Sequence, residues 1–296
     1  MEQNNLIERA FCPSCGSDSS ELVLTAPDFR VSKLEFEIHK CEGCGLHYTK
    51  NVPTPETIGS YYKAESYDSH RVDNKSLISR IYRRVRSINV TKKVSWIQRY
   101  TKSGLVVDYG CGLGHLVAEL KNSGFNAQGY EIDNDVRTLT KSELQIETYP
   151  LEDFRNLDSG SVSILTMWHV LEHVYDLNDD FQQIVDKVEN KGLIFIAVPN
   201  FRSYDAKFYK KYWEAYDLPR HLYHFDNESI ASFASRYCLS LESKIPLRFD
   251  SYYVSMRSEK NKKNGFLLRG VFIGWLSNLL AFRYGYSSHV YIFRKS

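Results

Sequence analysis

The chain has 296 residues, 43% hydrophobic and 25% charged, with a formal net charge of +2. That composition excludes a disordered or fibrous chain and suits one large domain, or a main domain with a small accessory one. The low net charge gives no general pull toward nucleic acid. The polar opening MEQNNLIERA has no apolar signal segment, so the expected compartment is the cytoplasm, where thiols stay reduced.

In chain order, the first feature is a pair of matching cysteine knuckles. Cys12-Pro-Ser-Cys15-Gly16 and Cys41-Glu-Gly-Cys44-Gly45 are each a Cys-x-x-Cys followed by glycine. Two intervening residues let one tight turn present both sulfurs to a single metal, and the glycine supplies the positive φ that closes the turn. With the strand-like segments ELVLTA and EFEIHK between them, the knuckles predict a zinc ribbon over residues 1–50, redox thiols being the alternative. His39 and His47 lie nearby but are not needed, because four cysteines fill a tetrahedral shell. Such a closed shell makes the zinc structural.

Residues 51–70, NVPTPETIGSYYKAESYDSH, show no clear periodicity and read as an ordered linker. Its Tyr61, Tyr62 and Tyr67 could cover a pocket or pack the linker onto the main domain. Residues 76–101 carry helical spacing through Leu77, Ile81, Val85 and Ile88. Arg80, Arg83, Arg84 and Arg86 on that helix read as a solvated basic face in preference to a nucleic-acid patch. Residues 51–103 are therefore a linker and an amphipathic helix.

From residue 104 to 296 short apolar runs alternate with amphipathic segments. LVVDYG, NAQGYEID, QIETYP, SVSILTMW and GLIFIAVPN read as strands. LVAELKNSG, DVRTLTKSE and LNDDFQQIVDKVEN read as helices between them. The pattern predicts an α/β fold, a parallel sheet with helices on both faces, with its ligand at the carboxyl ends of the strands. Gly110, Gly112 and Gly114 fall at that position after the first strand. Their Gly-x-Gly-x-Gly spacing differs from the Gly-x-Gly-x-x-Gly of a dinucleotide turn, and no lysine follows as in a phosphate-binding loop. Glu131 ends the second strand, where a carboxylate can accept hydrogen bonds from both ribose hydroxyls. Glu152 and Asp153 follow the third, at the edge where an adenine amino group could be read. The expected ligand is a nucleoside with an amino-acid tail.

The segments VVDYGCGLGHL, GYEID, LEDF and TMWHVLEHV, over residues 104–200, resemble the class I S-adenosylmethionine-dependent methyltransferases. The resemblance implies a Rossmann-like seven-stranded sheet with an antiparallel last strand, which SSHVYIFRK (287–295) would supply. It also implies that Asp108, Gly110, Gly112 and Gly114 cradle the methionyl part of S-adenosylmethionine. By the same likeness Glu131 would hold the ribose, Glu152 and Asp153 would lie near the adenine, and Trp168 and His169 would face the cofactor. The cysteine module, the Tyr-rich linker, HVLEH (169–173) and LPRHLYHF (218–225) further resemble a bacterial subgroup, some of whose members act on nucleotide-linked sugars or in polysaccharide clusters. The chain lacks the long C-terminal extra domain of the sugar C-methyltransferases.

Methyl transfer to oxygen or carbon needs an aligned acceptor and a base near neutral pKa, which favours histidine. Two groups qualify. His169, Glu172 and His173 follow the fourth strand, where Glu172 could orient a histidine and raise its basicity, or simply make structural bonds. His221 and His224, with Arg220 and Tyr223, could meet an anionic acceptor or fill a lid. Cys111 reads as a small filler beside the cofactor, and Cys238 as a core residue at a strand start.

Residues 266–282, FLLRGVFIGWLSNLLAF, follow Lys260, Lys262 and Lys263. The run is too short and interrupted to span a membrane. It reads as a helix with Leu268, Val271, Phe272, Trp275, Leu276 and Leu279 on one face, packed on the sheet, in a homodimer, or against a membrane surface. The expected function is methylation of a small-molecule, sugar-nucleotide or glycan or lipid-linked acceptor. An RNA methyltransferase gripping its substrate through the zinc ribbon is the alternative, weakened by the charge balance and by WHVLEH where an Asn/Asp-Pro-Pro-aromatic motif would stand. A binding module that keeps the fold without catalysis is a third reading, weakened by the intact glycines and Glu131.

Overall fold

The computed structural model describes residues 6–69 and 77–296, with side chains outside 63–83. The side chains of Tyr67, Leu77, Arg80, Ile81 and Arg83, singled out above, lie outside the described residues. The N-terminal part runs β1 (Leu6–Glu8), β2 (Ser20–Pro27), β3 (Glu35–Cys41), β4 (His47–Thr49), β5 (Asn51–Pro53), α1 (Pro55–Ser69) and α2 (Leu77–Ile97). The alternating part follows as β6 (Leu105–Tyr109), α3 (His115–Asn122), β7 (Asn126–Glu131), α4 (Asn134–Leu144), β8 (Tyr149–Pro150), β9 (Val162–Trp168), α5 (Leu177–Lys187) and β10 (Val188–Pro199). The chain ends with α6 (Tyr204–Tyr209), β11 (Tyr223–His224), α7 (Asn227–Ser235), β12 (Leu239–Pro246), α8 (Asp250–Lys260), α9 (Leu267–Leu279), α10 (Ala281–Tyr284) and β13 (Ser288–Lys295).

Seven strands form one sheet in the order β12-β13-β10-β9-β6-β7-β8. The strands β6 to β10 run parallel, while β13 is antiparallel to both β10 and β12. The central strands are continuous apolar runs because helices cover both faces: Val106, Val107, Ile164, Leu165, Ile194 and Phe195 are all buried. Succession moves outward from β6 through β7 to β8, then returns to the other side of β6 as β9. The carboxyl ends of β6 and β9 therefore border the crevice where this fold holds a ligand. Helix α4 is started by Asp133, whose side chain accepts from the amides of Asp135 and Val136.

The cysteine-rich segment is joined to the main domain by more than its linker. Its sheet has the order β11-β4-β3-β2, so a strand from residues 223–224 completes it. Cys12, Cys41, Leu46, Tyr48 and Val52 lie in the same buried cluster as Leu165, Phe181, Phe225 and Phe233. Buried Arg220 spans the junction, with Nη2 donating to Asp28 Oδ1 at 3.2 Å and Asp217 Oδ1 at 2.6 Å.

Several local expectations are corrected. The segment read as a linker contains α1, whose Tyr61 ring packs on Phe36. Only Tyr149–Pro150 of QIETYP pairs as strand. Helix α5 ends at Lys187 and the following Val-Glu-Asn begins β10. Ile88 is exposed, and α2 packs instead through Val94 and Ile97. Cys238 is exposed at φ 56°, so it is no core residue.

The C-terminal apolar run is corrected more deeply. Helix α9 packs through Gly270, Ile273, Gly274 and Ser277, chiefly against α8 and α6, not through its larger side chains. A Cβ at Gly270 would stand 2.7 Å from Met256 Cα, and one at Gly274 2.7 Å from Tyr252 Cα. The bare backbone is what lets the two helices touch. Leu268, Val271, Phe272, Trp275 and Leu279 point outward. No helix among the described residues is long and apolar enough to cross a membrane.

Candidate active site

The glycine turn joins β6 to α3. Gly110 and Gly112 have φ of 72° and 52°, which a side chain at either position would strain. A Cβ on Gly110 would also lie 2.6 Å from Val170 Cγ2, so the turn seats directly on the segment that follows β9. A Cβ on Gly112 would meet nothing within 4 Å, and the turn is open on that side. Glu131, at the end of β7, is fixed by this turn: Oε2 accepts from Gly112 N at 2.8 Å and Oε1 from Asp133 N at 3.0 Å. The second lone pair of each oxygen stays available to a ligand, as two ribose hydroxyls would require.

Asp108 is buried under the turn and accepts from Thr166 Oγ1 at 2.6 Å. Burial draws its carboxyl up to about 6, with Thr166 and Lys93 opposing and Glu131 reinforcing the shift. Glu152 and Asp153 are exposed on a short 3-10 turn, Leu151–Asn156, beyond β8. Phe154 anchors that turn edge-on to Tyr109 and Tyr130, at 5.0 and 5.4 Å. Burial pushes the Cys111 thiol up, as do Asp108 and Glu131, which suits a filler and not a nucleophile.

A cleft of about 990 Å³ opens beside the end of β9. Its walls are α2, Trp168 and His169, and the segment from the end of β12 into α8. Trp168 lies 6.3 Å from Trp96 between ring centroids, and Lys93 Nζ stands 3.9 Å from the centre of its ring. The Trp168 indole Nε1 is buried with no hydrogen-bond partner among the described residues. Arg86, Lys92, Lys93, Arg99 and Arg248 line the cleft, against the single carboxylate of Asp250 among the described residues. Sequence patterning did not flag Lys93 or Asp250. One lay in a helix read as solvated, the other in a connection without a motif.

The candidate histidines are separated by the fold. His169 lines the cleft at φ 56°, with Nδ1 3.3 Å from Glu172 Oε1 and Nε2 3.2 Å from Asp250 Oδ2. Both nitrogens face carboxylates, so both act as donors and the ring is an imidazolium. Burial opposes that charge, but the bonds to Asp250 and Glu172 prevail and lift His169 to about 10. Behind it Glu172, His173 and His221 converge, the two rings 4.5 Å apart. Burial and the neighbouring His173 hold His221 down to about 4.

Two members of the second expected group do other work. His224 sits buried on β11 with Nε2 3.2 Å from Thr49 Oγ1, outside the cleft lining. Arg220 is committed to Asp28, Asp217 and the Tyr61 carbonyl, so it is not available to an anionic acceptor.

The four N-terminal cysteines come together. Cys12 Sγ lies 3.7 Å from Cys44 Sγ and Cys15 Sγ 3.5 Å from Cys41 Sγ, with all four sulfurs within 4.8 Å of one another. Tetrahedral zinc with bonds of about 2.3 Å places its sulfurs about 3.8 Å apart, so the set fits that ion. The glycines perform the expected closure: Gly16 N donates to Cys12 O and Gly45 N to Cys41 O, at φ 76° and 74°.

Residues 82–243 match the family described as a methyltransferase domain. The match spans more than half the chain, which therefore belongs to that methyltransferase family. Among solved structures, the magnesium protoporphyrin IX methyltransferase of Synechocystis, with bound SAH, is similar at TM-score 0.54 and 13% identity, covering 82% of this chain and 100% of that one. A SAM-dependent methyltransferase from Archaeoglobus fulgidus has TM-score 0.48 and 17% identity, covering 71% and 94% respectively. These likenesses concern the fold. No curated protein matches the sequence.

Proposed function

We propose that the enzyme methylates a small acceptor carrying negative charge, in the class of nucleotide-linked or lipid-linked sugars. The observation that supports this reading is the cleft at the carboxyl edge, lined among the described residues by five lysines and arginines against one aspartate. A phosphate or diphosphate suits such a lining.

S-adenosylmethionine, when bound, supplies the methyl electrophile. In this reading Asp108 and the turn Gly110, Gly112 and Gly114 hold its methionyl end, Glu131 its ribose, and Glu152 and Asp153 flank its adenine. Trp168 closes the near side. His169 already donates from both nitrogens and cannot take a proton, so in this reading the base would have to be His173 or His221, which stand behind the wall and outside the cleft lining. Residues 1–50 form a zinc ribbon in which Cys12, Cys15, Cys41 and Cys44 hold a structural ion. Residues 51–103 connect it to the catalytic domain at 104–296. Of the two partners expected for the outward face of α9, a membrane surface agrees with its exposed aromatic rings and the lysines that precede it.

The test is transfer of labelled methyl from S-adenosylmethionine into cell extract divided into sugar-nucleotide, lipid, RNA and protein fractions. Label in the sugar-nucleotide or lipid fraction, lost in Glu131→Ala, is expected. Label in RNA alone would overturn the reading.

A further inference from the structure

Behind the cleft wall, Glu172, His173 and His221 each offer one ligand atom, and these atoms lie within 4.8 Å of one another. Glu172 and His173 sit on a single 3-10 turn, Leu171–His173. His221 arrives from the segment following α6 and is held there by Leu222 N, which donates to Glu172 O at 2.7 Å. We infer that this cluster is a second metal site, distinct from the cysteines, that takes a divalent transition ion through two imidazoles and one carboxylate.

Three observations support it. Glu172 is 1% exposed, yet its Oε2 has no hydrogen-bond partner among the described residues. A buried carboxylate oxygen without a partner is costly, and an ion on that side would satisfy it. The other oxygen is already fixed on His169 Nδ1, so the free one is oriented and not mobile.

Second, both imidazoles are set as ligands usually are. His221 Nδ1 lies 2.9 Å from Ala215 O, and His173 Nδ1 lies 3.0 Å from both Arg220 O and the Tyr62 hydroxyl. A backbone carbonyl can only accept, so with Nδ1 donating to it, and the Tyr62 oxygen sharing that hydrogen at His173, each neutral ring keeps its lone pair on Nε2. Outer hydrogen bonds of this kind fix the tautomer and orientation of metal-binding histidines. Third, two histidines and a glutamate are a donor set that suits zinc and its first-row neighbours. Three protein donors leave room for a further oxygen ligand, unlike the closed set of four thiolates.

The site itself does not depend on the acceptor reading. Its consequence does: with an ion present, His173 and His221 would serve as its ligands and not as bases for the acceptor.

The experiment uses the full chain with its four cysteines filled by zinc, titrated with cobalt(II). One further equivalent should bind, with visible bands typical of nitrogen and oxygen donors and without the intense near-ultraviolet bands of thiolate–cobalt bonds. Glu172→Gln and His221→Gln should each weaken that binding by about 100-fold or more, since even outer partners contribute 10–100-fold. Zinc content at the cysteines and S-adenosylmethionine binding by calorimetry report that each variant is folded. Absence of a second equivalent in the unaltered protein overturns the inference, as does thiolate character in its spectrum or tight binding that survives both variants. Failure of the acceptor reading appears separately, as label in RNA, whatever the metal count.

Discussion

Thr166 Oγ1 donates a 2.6 Å hydrogen bond to Asp108 Oδ1 across neighbouring strands, and both side chains are buried. Asp108 is drawn from its ordinary 3.8 up to about 6 by burial, and this bond is the leading force opposing the shift. Between those values the folded protein binds more protons than the unfolded chain, so Asp108 makes stability rise as pH falls through that window. With Asp108 holding the cofactor's cationic amino group as proposed, affinity moves the other way, because that contact needs the carboxylate. Calorimetry should show S-adenosylmethionine binding weakening below about pH 6. Thr166→Val removes a charge-assisted bond worth about 1.5–3 kcal/mol, which should move the inflection up by about one pH unit or more. A profile unmoved by Thr166→Val, or identical in Asp108→Asn, would separate Asp108 from cofactor binding.

With zinc held by Cys12, Cys15, Cys41 and Cys44 as proposed, chelation should destabilise the whole chain. Cys12 and Cys41 belong to the main buried cluster, β11 closes the cysteine-bearing sheet, and Ser14 Oγ accepts from Arg236 Nη1 at 2.7 Å. A module joined this way shares its packing with the main domain, and even its cluster of Ala26, Phe36 and Ile38 closes on Tyr61 and Leu218. Differential scanning calorimetry after chelation, or with Cys41→Ser, is expected to show one transition at lower temperature. Two resolved transitions, the upper one unshifted, would show that residues 1–50 fold independently.

Much of this architecture was legible in the chain because its signals are local. The sheet strands announced themselves as apolar runs, and the glycine turn, Glu131 and the cysteine knuckles are each set within one or two turns of backbone. What escaped prediction depends on long-range contact. Arg220 and His221 are neighbours, yet Asp28 and Asp217 claim the first while the second joins Glu172, a division no spacing encodes. Asp250 gains its place through His169, 81 residues earlier. Helix α9 misled for another reason. Its larger apolar residues suggested a buried face, but only Ile273 of them is buried, and the close approach is made by Gly270 and Gly274, whose lack of side chains carries no hydrophobic signal.

Gly274 therefore offers a sharp mutational test. Alanine favours a helix over glycine by about 1 kcal/mol, so Gly274→Ala would stabilise an isolated α9. Its Cβ would meet Tyr252 Cα at 2.7 Å and Ser251 O at 2.8 Å, backbone atoms that cannot turn aside. Forcing the helices apart costs about 1–3 kcal/mol, and more where a backbone must move. The expected result is a melting temperature lower by several degrees, with Gly59→Ala in α1 as a control where a Cβ meets nothing within 4 Å. An unchanged or raised melting temperature for Gly274→Ala would show that α8 and α9 are less closely apposed.

The outward face of α9 yields the last prediction. Phe272 and Trp275 are 55% and 49% exposed with ring centroids 5.8 Å apart, so they form a continuous apolar surface and not scattered points. Lys260 and Lys263 precede the helix, and each lysine near an anionic membrane adds about 1 kcal/mol to its attraction. A helix lying in the interface buries its rings among the acyl chains while such charges meet the headgroups. The protein should float with vesicles containing phosphatidylserine at low salt, less with neutral vesicles, and Trp275→Asp should abolish flotation. Because Trp275 stands half outside the fold, the variant should keep its cofactor affinity and melting temperature. Wild-type protein that stays with the soluble fraction would overturn the membrane reading, and a dimer that Trp275→Asp dissociates would assign this face to a second copy of the chain instead.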